Sequence, residues 1–80
     1  MKIPVIKKLI ETHSVAELLE AESQLMNGGL PSIEVEGSDE GEQLTHIIAG
    51  IWIMEEMKTR NLDFKEALRE YTKKVRESIN

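Results

Sequence analysis

Two side chains in this chain are spaced to share a metal ion or a proton: Glu42 and His46, four residues apart and so on one face of any helix that contains them. An imidazole beside a carboxylate suits acid–base work near neutral pH, and the same pair can ligate zinc or iron. The spacing gives either chemistry little support. Helical carboxylate-bridged metal bundles carry Glu-x-x-His on two helices with further acids, whereas this chain has a single Glu-x-x-x-His, and His13 belongs to another segment. The reading that needs no ligand is a hydrogen bond in which Glu42 orients the His46 ring against a neighbouring helix. If that ring sits at an interface, chain association becomes pH-sensitive near neutrality.

Other chemistry finds less. There is no cysteine, so thiol nucleophiles, thiolate metal sites and disulfides are all absent. The serines fall at helix starts and turns, without a Gly-x-Ser-x-Gly context. Gly28-Gly29 closes a helical pattern rather than opening one, so no phosphate-cradling loop is read there. No cofactor is expected.

The element that positions Glu42 and His46 is the stretch Ser38 to Lys58, which reads as a long central helix. Ser38 or Asp39 serves as N-cap, Asp39 and Glu42 have capping-box spacing, and Asn61 marks the end. From Ile47 to Met54 every residue is apolar or glycine, so the helix must bury more than one face. Leu44, Ile47, Ile48, Ile51 and Met54 make one stripe, and His46, Gly50, Ile53 and Met57 make a second on roughly the opposite side. The run is about half the ~18–20 residues that a bilayer crossing requires, and acids flank it, so a membrane span is excluded.

Around it, Pro4 opens a short first helix with Ile6, Leu9, Ile10 and His13 at helical spacing. Ser14 with Glu17 is a capping box for a second helix, whose stripe is Val15, Leu18, Leu19, Leu25 and Met26 and which ends at Asn27-Gly28-Gly29. Glu22 falls within that stripe and is read as an edge carboxylate reaching solvent. Asp63 with Glu66 caps a last helix striped by Phe64, Ala67, Leu68, Tyr71, Val75 and Ile79, antiparallel to the central one after a short link. Between Leu30 and Gly37 the period switches to two, with Ile33 and Val35 alternating with Glu34 and Glu36. With no second strand pattern to pair with, this segment is expected as an extended strap with Ile33 and Val35 inward, in preference to pairing with its copy in a second subunit. The fold class is therefore all-α: one small four-helix domain over residues 1–80, with a long central helix and one extended connector.

The formal charge is −5, and no lysine or arginine occurs between Lys8 and Lys58, which excludes nucleic acid as a partner of the middle of the chain. The basic residues of the last helix alternate with Glu66, Glu70 and Glu77 at pairing distance, as on a solvated helix face. Lys7, Lys8 and Glu11 interrupt the opening apolar group too early for a secretory signal, so a cytoplasmic location is expected. An 80-residue chain buries only ~60% of its unfolded surface, and without disulfides the common route to added stability is association.

The segments MKIPVIKKLIE, EVEGSDEGEQLTHIIAGIWI and DFKEALREYTKKVRESI resemble a family of short bacterial helical proteins classed only as a domain of unknown function. The resemblance covers nearly the whole chain and carries no catalytic residue onto it. It implies a helper of thioredoxin-like or peroxiredoxin enzymes rather than a redox enzyme, since a chain without cysteine exchanges no disulfides. The expected function is a non-enzymatic protein–protein interaction module, a homodimeric adaptor or regulator. Its contact is expected around His46, Gly50, Trp52, Ile53 and Met57, with Trp52 as an aromatic anchor and Gly50 admitting a close helix. The alternative is a small metal-dependent or acid–base enzyme using Glu42 and His46, with Glu22 or acids of a second subunit.

Overall fold

Side-chain caps mark the starts of three of the four helices, the first helix being the exception. The computed structural model describes residues 1–79, the side chain of Ile79 excepted, so that residue's place in the last stripe lies outside what is described. Four helices follow one another: α1 (Ile3–Thr12), α2 (Val15–Met26), α3 (Glu40–Thr59) and α4 (Phe64–Ile79). Among the described residues there is no strand, and no helix is long and apolar enough to cross a membrane.

The capping boxes form at α2 and α4. Ser14 Oγ accepts the Glu17 N–H (3.2 Å) while the Glu17 carboxylate accepts the Ser14 N–H (3.0 Å). Asp63 and Glu66 make the same reciprocal pair at 2.8 and 3.1 Å. At α3 the arrangement is offset by one residue: Asp39 accepts the Glu42 N–H at 2.8 Å, but the Glu42 side chain reaches past Asp39 to the N–H of Ser38 at 2.9 Å. The far end of α3 closes as a Schellman turn. Asn61 adopts a left-handed φ of 55°, and the Leu62 N–H returns to the Met57 carbonyl at 3.2 Å.

Every other helix packs on α3. Its two apolar stripes face different neighbours. Ile47, with Leu44, Ile51 and Met54, joins Leu18, Ala21 and Leu25 of α2 and Val35 of the connector. Ala49 and Ile53, with Trp52 and Met57, join Ala67 and Tyr71 of α4. Short α1 wedges between the two sets, giving Val5 and Leu9 to the first and Ile6 and Ile10 to the second. Ile6, Leu18, Ile47 and Ile53 are fully buried, and each such side chain contributes ~1.5–3 kcal/mol. A cap contributes about 1 kcal/mol, and a ten-residue helix is marginal alone, so α1 is held by packing rather than by its own propensity.

The connector runs as the expected strap. Val35 is buried and Ile33 half-buried, while Glu34 and Glu36 face solvent. It is pinned by two side chains: Gln24 Oε1 accepts the Ser32 N–H at 2.8 Å, and the His46 ring meets the Glu36 carbonyl at 2.8 Å. Gly37 then passes so close to α3 that a Cβ would lie 2.8 Å from the Gln43 backbone nitrogen. Only glycine fits there.

Candidate functional site

Glu42 and His46 do share a face of α3, yet they do not bond to each other. The His46 ring is fully buried, with Nδ1 against the Glu36 carbonyl at 2.8 Å and Nε2 accepting the Lys2 backbone N–H at 2.9 Å. A carbonyl partner needs a proton on Nδ1 and an N–H partner needs a lone pair on Nε2, so the contacts assign the Nδ1–H tautomer. Neither nitrogen has a lone pair left for a metal. The expected orienting bond from Glu42 is thereby corrected: Glu42 is spent on the Ser38 N–H, which holds its carboxyl below the usual range, with the amino terminus and Lys2 adding to the effect and desolvation opposing it. Among the described residues no three His, Asp or Glu side chains gather in a way that could hold a metal ion.

Of the five residues expected at an interface, three lie inside the chain. His46, Gly50 and Ile53 are buried, the first by the strap and the α1 start, the second under Leu18 of α2, the third among Ile6, Ala67 and Tyr71. These three have no surface to offer a partner, because α1, α2 and α4 fill the second stripe from within. Met57 and Trp52 are half-buried. One face of Trp52 is covered by the Tyr71 ring, tilted 52° with centroids 5.5 Å apart, an edge-to-face type of contact.

Trp52 also borders an open groove of about 440 Å³ between α2 and α3. Leu19, Ile48, Ile51 and Trp52 form its apolar lining, and Glu22, Glu55 and Glu56 supply every charge around it. Leu19 and Ile48 stand 46% and 41% exposed, a second correction, since the helical spacing places both in stripes expected to be covered. Met26, assigned to the same α2 stripe, is exposed as well. The physical reason is angular. Leu18 and Ile47 already occupy the α2–α3 contact, and the next residue in each helix is rotated by about 100°, out of the seam and into the groove. The signal in the chain is the run Ile47 to Met54, whose apolar residues point in every direction around α3. Glu22 is half-buried at the groove wall, in keeping with an edge position.

No ion pair among the described residues involves Glu22, Glu55 or Glu56; the pairs formed are Lys8–Glu36 at 3.7 Å, His13–Glu17 at 3.5 Å and the amino terminus with Glu42 at 3.9 Å. The groove is thus an apolar floor with a carboxylate rim, and on its far side Glu56 also borders a depression lined by Arg60, Lys73 and Lys74. Thr59 completes the polar part of the groove's lining.

Neither the curated proteins nor the solved structures contain a match to the chain. A family match covers its whole length, and over residues 1–80 the chain belongs to a family of unknown function, DUF6952.

Proposed function

We propose that this protein is a non-enzymatic docking module that takes another polypeptide into the groove between α2 and α3. The observation that carries this reading is the exposure of Leu19 and Ile48 in one groove with Ile51 and Trp52, in a chain whose other large apolar side chains on α3 are buried or half-buried. Leaving such side chains in water forgoes the burial that they would otherwise contribute, and a partner recovers it. A small ligand is a poorer occupant, because ligand sites enclose most of the molecule they bind, whereas two of the four apolar groups here are more than two-fifths exposed. The engagement of both His46 nitrogens by backbone groups supports docking over acid–base chemistry at Glu42 and His46.

The test uses Trp52, the single tryptophan, as its reporter. Short helical peptides are selected by display on the wild-type protein and then measured against the Leu19→Gln/Ile48→Gln double variant, which removes apolar area without adding charge. The expected result is a set of peptides that shift Trp52 emission in the wild type and lose binding to the variant, while its circular dichroism stays unchanged. Failure to enrich any peptide, or equal binding to both proteins, overturns the reading.

A further inference from the structure

We infer that the groove's occupant is a cationic amphipathic helix of a different protein, with apolar side chains on one stripe and lysine or arginine flanking them. This rests on the docking reading and goes further by assigning the partner's chemistry. All three charged residues around the groove are carboxylates, one on α2 and two on α3, and none is in an ion pair among the described residues. Helix α2 contains no lysine or arginine at all, so Glu22 has no base on its own helix to pair with. Lys58 and Arg60 follow Glu55 and Glu56 in sequence, and Arg60, Lys73 and Lys74 share a neighbouring depression with Glu56, but among the described residues none of these bases stands within ion-pair distance of Glu55 or Glu56, and none lines the groove that holds Glu22 and Glu55. An apolar floor between α2 and α3 calls for side chains repeating at helical spacing, and the carboxylate rim calls for bases beside them.

A second copy of this chain fits the same surface badly. Face-to-face pairing through one symmetric patch sets two Glu22, Glu55, Glu56 rims against each other, and like charges in register are repulsive. The basic face of α4 has the complementary sign, but none of its described side chains is both large, apolar and exposed. The opening of α1 has bases together with exposed Met1 and Ile3, yet these are two apolar groups at one helix tip and supply no stripe.

Three synthetic peptides test this, sharing one leucine stripe at helical spacing and carrying lysine, glutamine or glutamate beside it. Binding is read by Trp52 emission on the wild type, on Leu19→Gln/Ile48→Gln, and on Glu22→Gln/Glu55→Gln/Glu56→Gln. Individual exposed pairs are weak, so three together are expected to give the lysine peptide about a tenfold advantage over the glutamine peptide at low salt, equivalent to ~1.4 kcal/mol. High salt and the triple glutamine variant are expected to erase that advantage while the glutamine peptide binds as before. Equal affinity of the lysine and glutamine peptides, or an advantage that survives in the triple variant, overturns the cationic assignment and leaves docking intact. If no peptide of any charge shifts Trp52, the docking reading falls with it. A molar mass that rises with concentration, and falls back to 9.1 kDa in the Leu19→Gln/Ile48→Gln variant, makes a second copy the occupant and overturns the inference.

Discussion

The backbone N–H of Lys2 donates to Nε2 of His46 at 2.9 Å, tying the residue that caps α1 to the first half of the central helix. Through Nδ1 the same ring holds the Glu36 carbonyl, so one buried side chain fastens the start of α1 and the end of the strap to α3. This explains a histidine at a fully buried position. An apolar residue there would leave a backbone donor and a backbone acceptor without partners.

His46→Leu is accordingly expected to be destabilising by about 2 kcal/mol, since two part-buried backbone groups each lose a partner at about 1 kcal/mol, the low end of the cost for an unpaired group. In a domain of this size that lowers the melting temperature by roughly ten degrees or more. Ring nitrogen shifts in a ¹⁵N NMR spectrum are expected to show a protonated Nδ1 and a bare Nε2. An unchanged melting temperature would show that water replaces the ring at both partners.

Gly50 separates close approach from helix propensity. A Cβ there would stand 3.3 Å from Leu18 Cδ1 and 4.0 Å from Ile10 Cγ1, so a methyl group fits after the end of Leu18 yields by a few tenths of an ångström. Alanine also recovers about 1 kcal/mol of helix propensity. Gly50→Ala is expected to leave thermal stability within ~1 kcal/mol of wild type, on the favourable side. Gly50→Leu has nowhere to place its branch and is expected to displace α2 and α1, costing several kcal/mol or preventing folding. Equal melting curves for the two variants would remove the packing explanation for glycine.

Acid is expected to weaken the fold through the caps. The Ser14 N–H, followed by the His13 ring, holds the Glu17 carboxyl below its ordinary 4.5, and the Ser38 N–H does the same for Glu42. A carboxyl depressed in the folded state contributes stability that is present above the unfolded value and is lost as pH falls through the folded one. Thermal scans from roughly pH 7 to pH 3 should therefore show a fall beginning near the ordinary carboxylate range. Glu17→Gln/Glu42→Gln should flatten that fall; an identical fall would place its cause in other carboxylates.

Alkali should act through Tyr71, whose phenol burial pushes above its ordinary 10.0. A neutral acid raised in this way contributes its stability fully below the unfolded value and loses it as pH rises through the folded one. As the chain has one tyrosine, its phenolate absorbance titrates alone and is expected to show a midpoint above 10.0. Tyr71→Phe should remove the alkaline loss of stability; if the loss persists, lysine deprotonation is the cause.

Much of the architecture is legible in the chain itself, because helix starts and ends are local events. Ser14 with Glu17, Asp63 with Glu66, and Asn61 each act within one turn of backbone, and the structure places helix ends at all three. The double stripe of α3 is equally local, a matter of residue spacing, and so is the alternation that turns Ile33 and Val35 inward. Which neighbour covers each stripe depends on tertiary packing. The stripe of His46, Gly50 and Ile53 suggests a partner chain until α1, α2 and α4 are seen to close over it. Spacing pairs His46 with Glu42, whereas its partners, Lys2 and Glu36, lie 44 and 10 residues away. Leu19 and Ile48 are indistinguishable by type from the buried residues beside them. Their exposure follows from how three helices divide the circumference of a fourth, and that division is settled only when all of them pack at once.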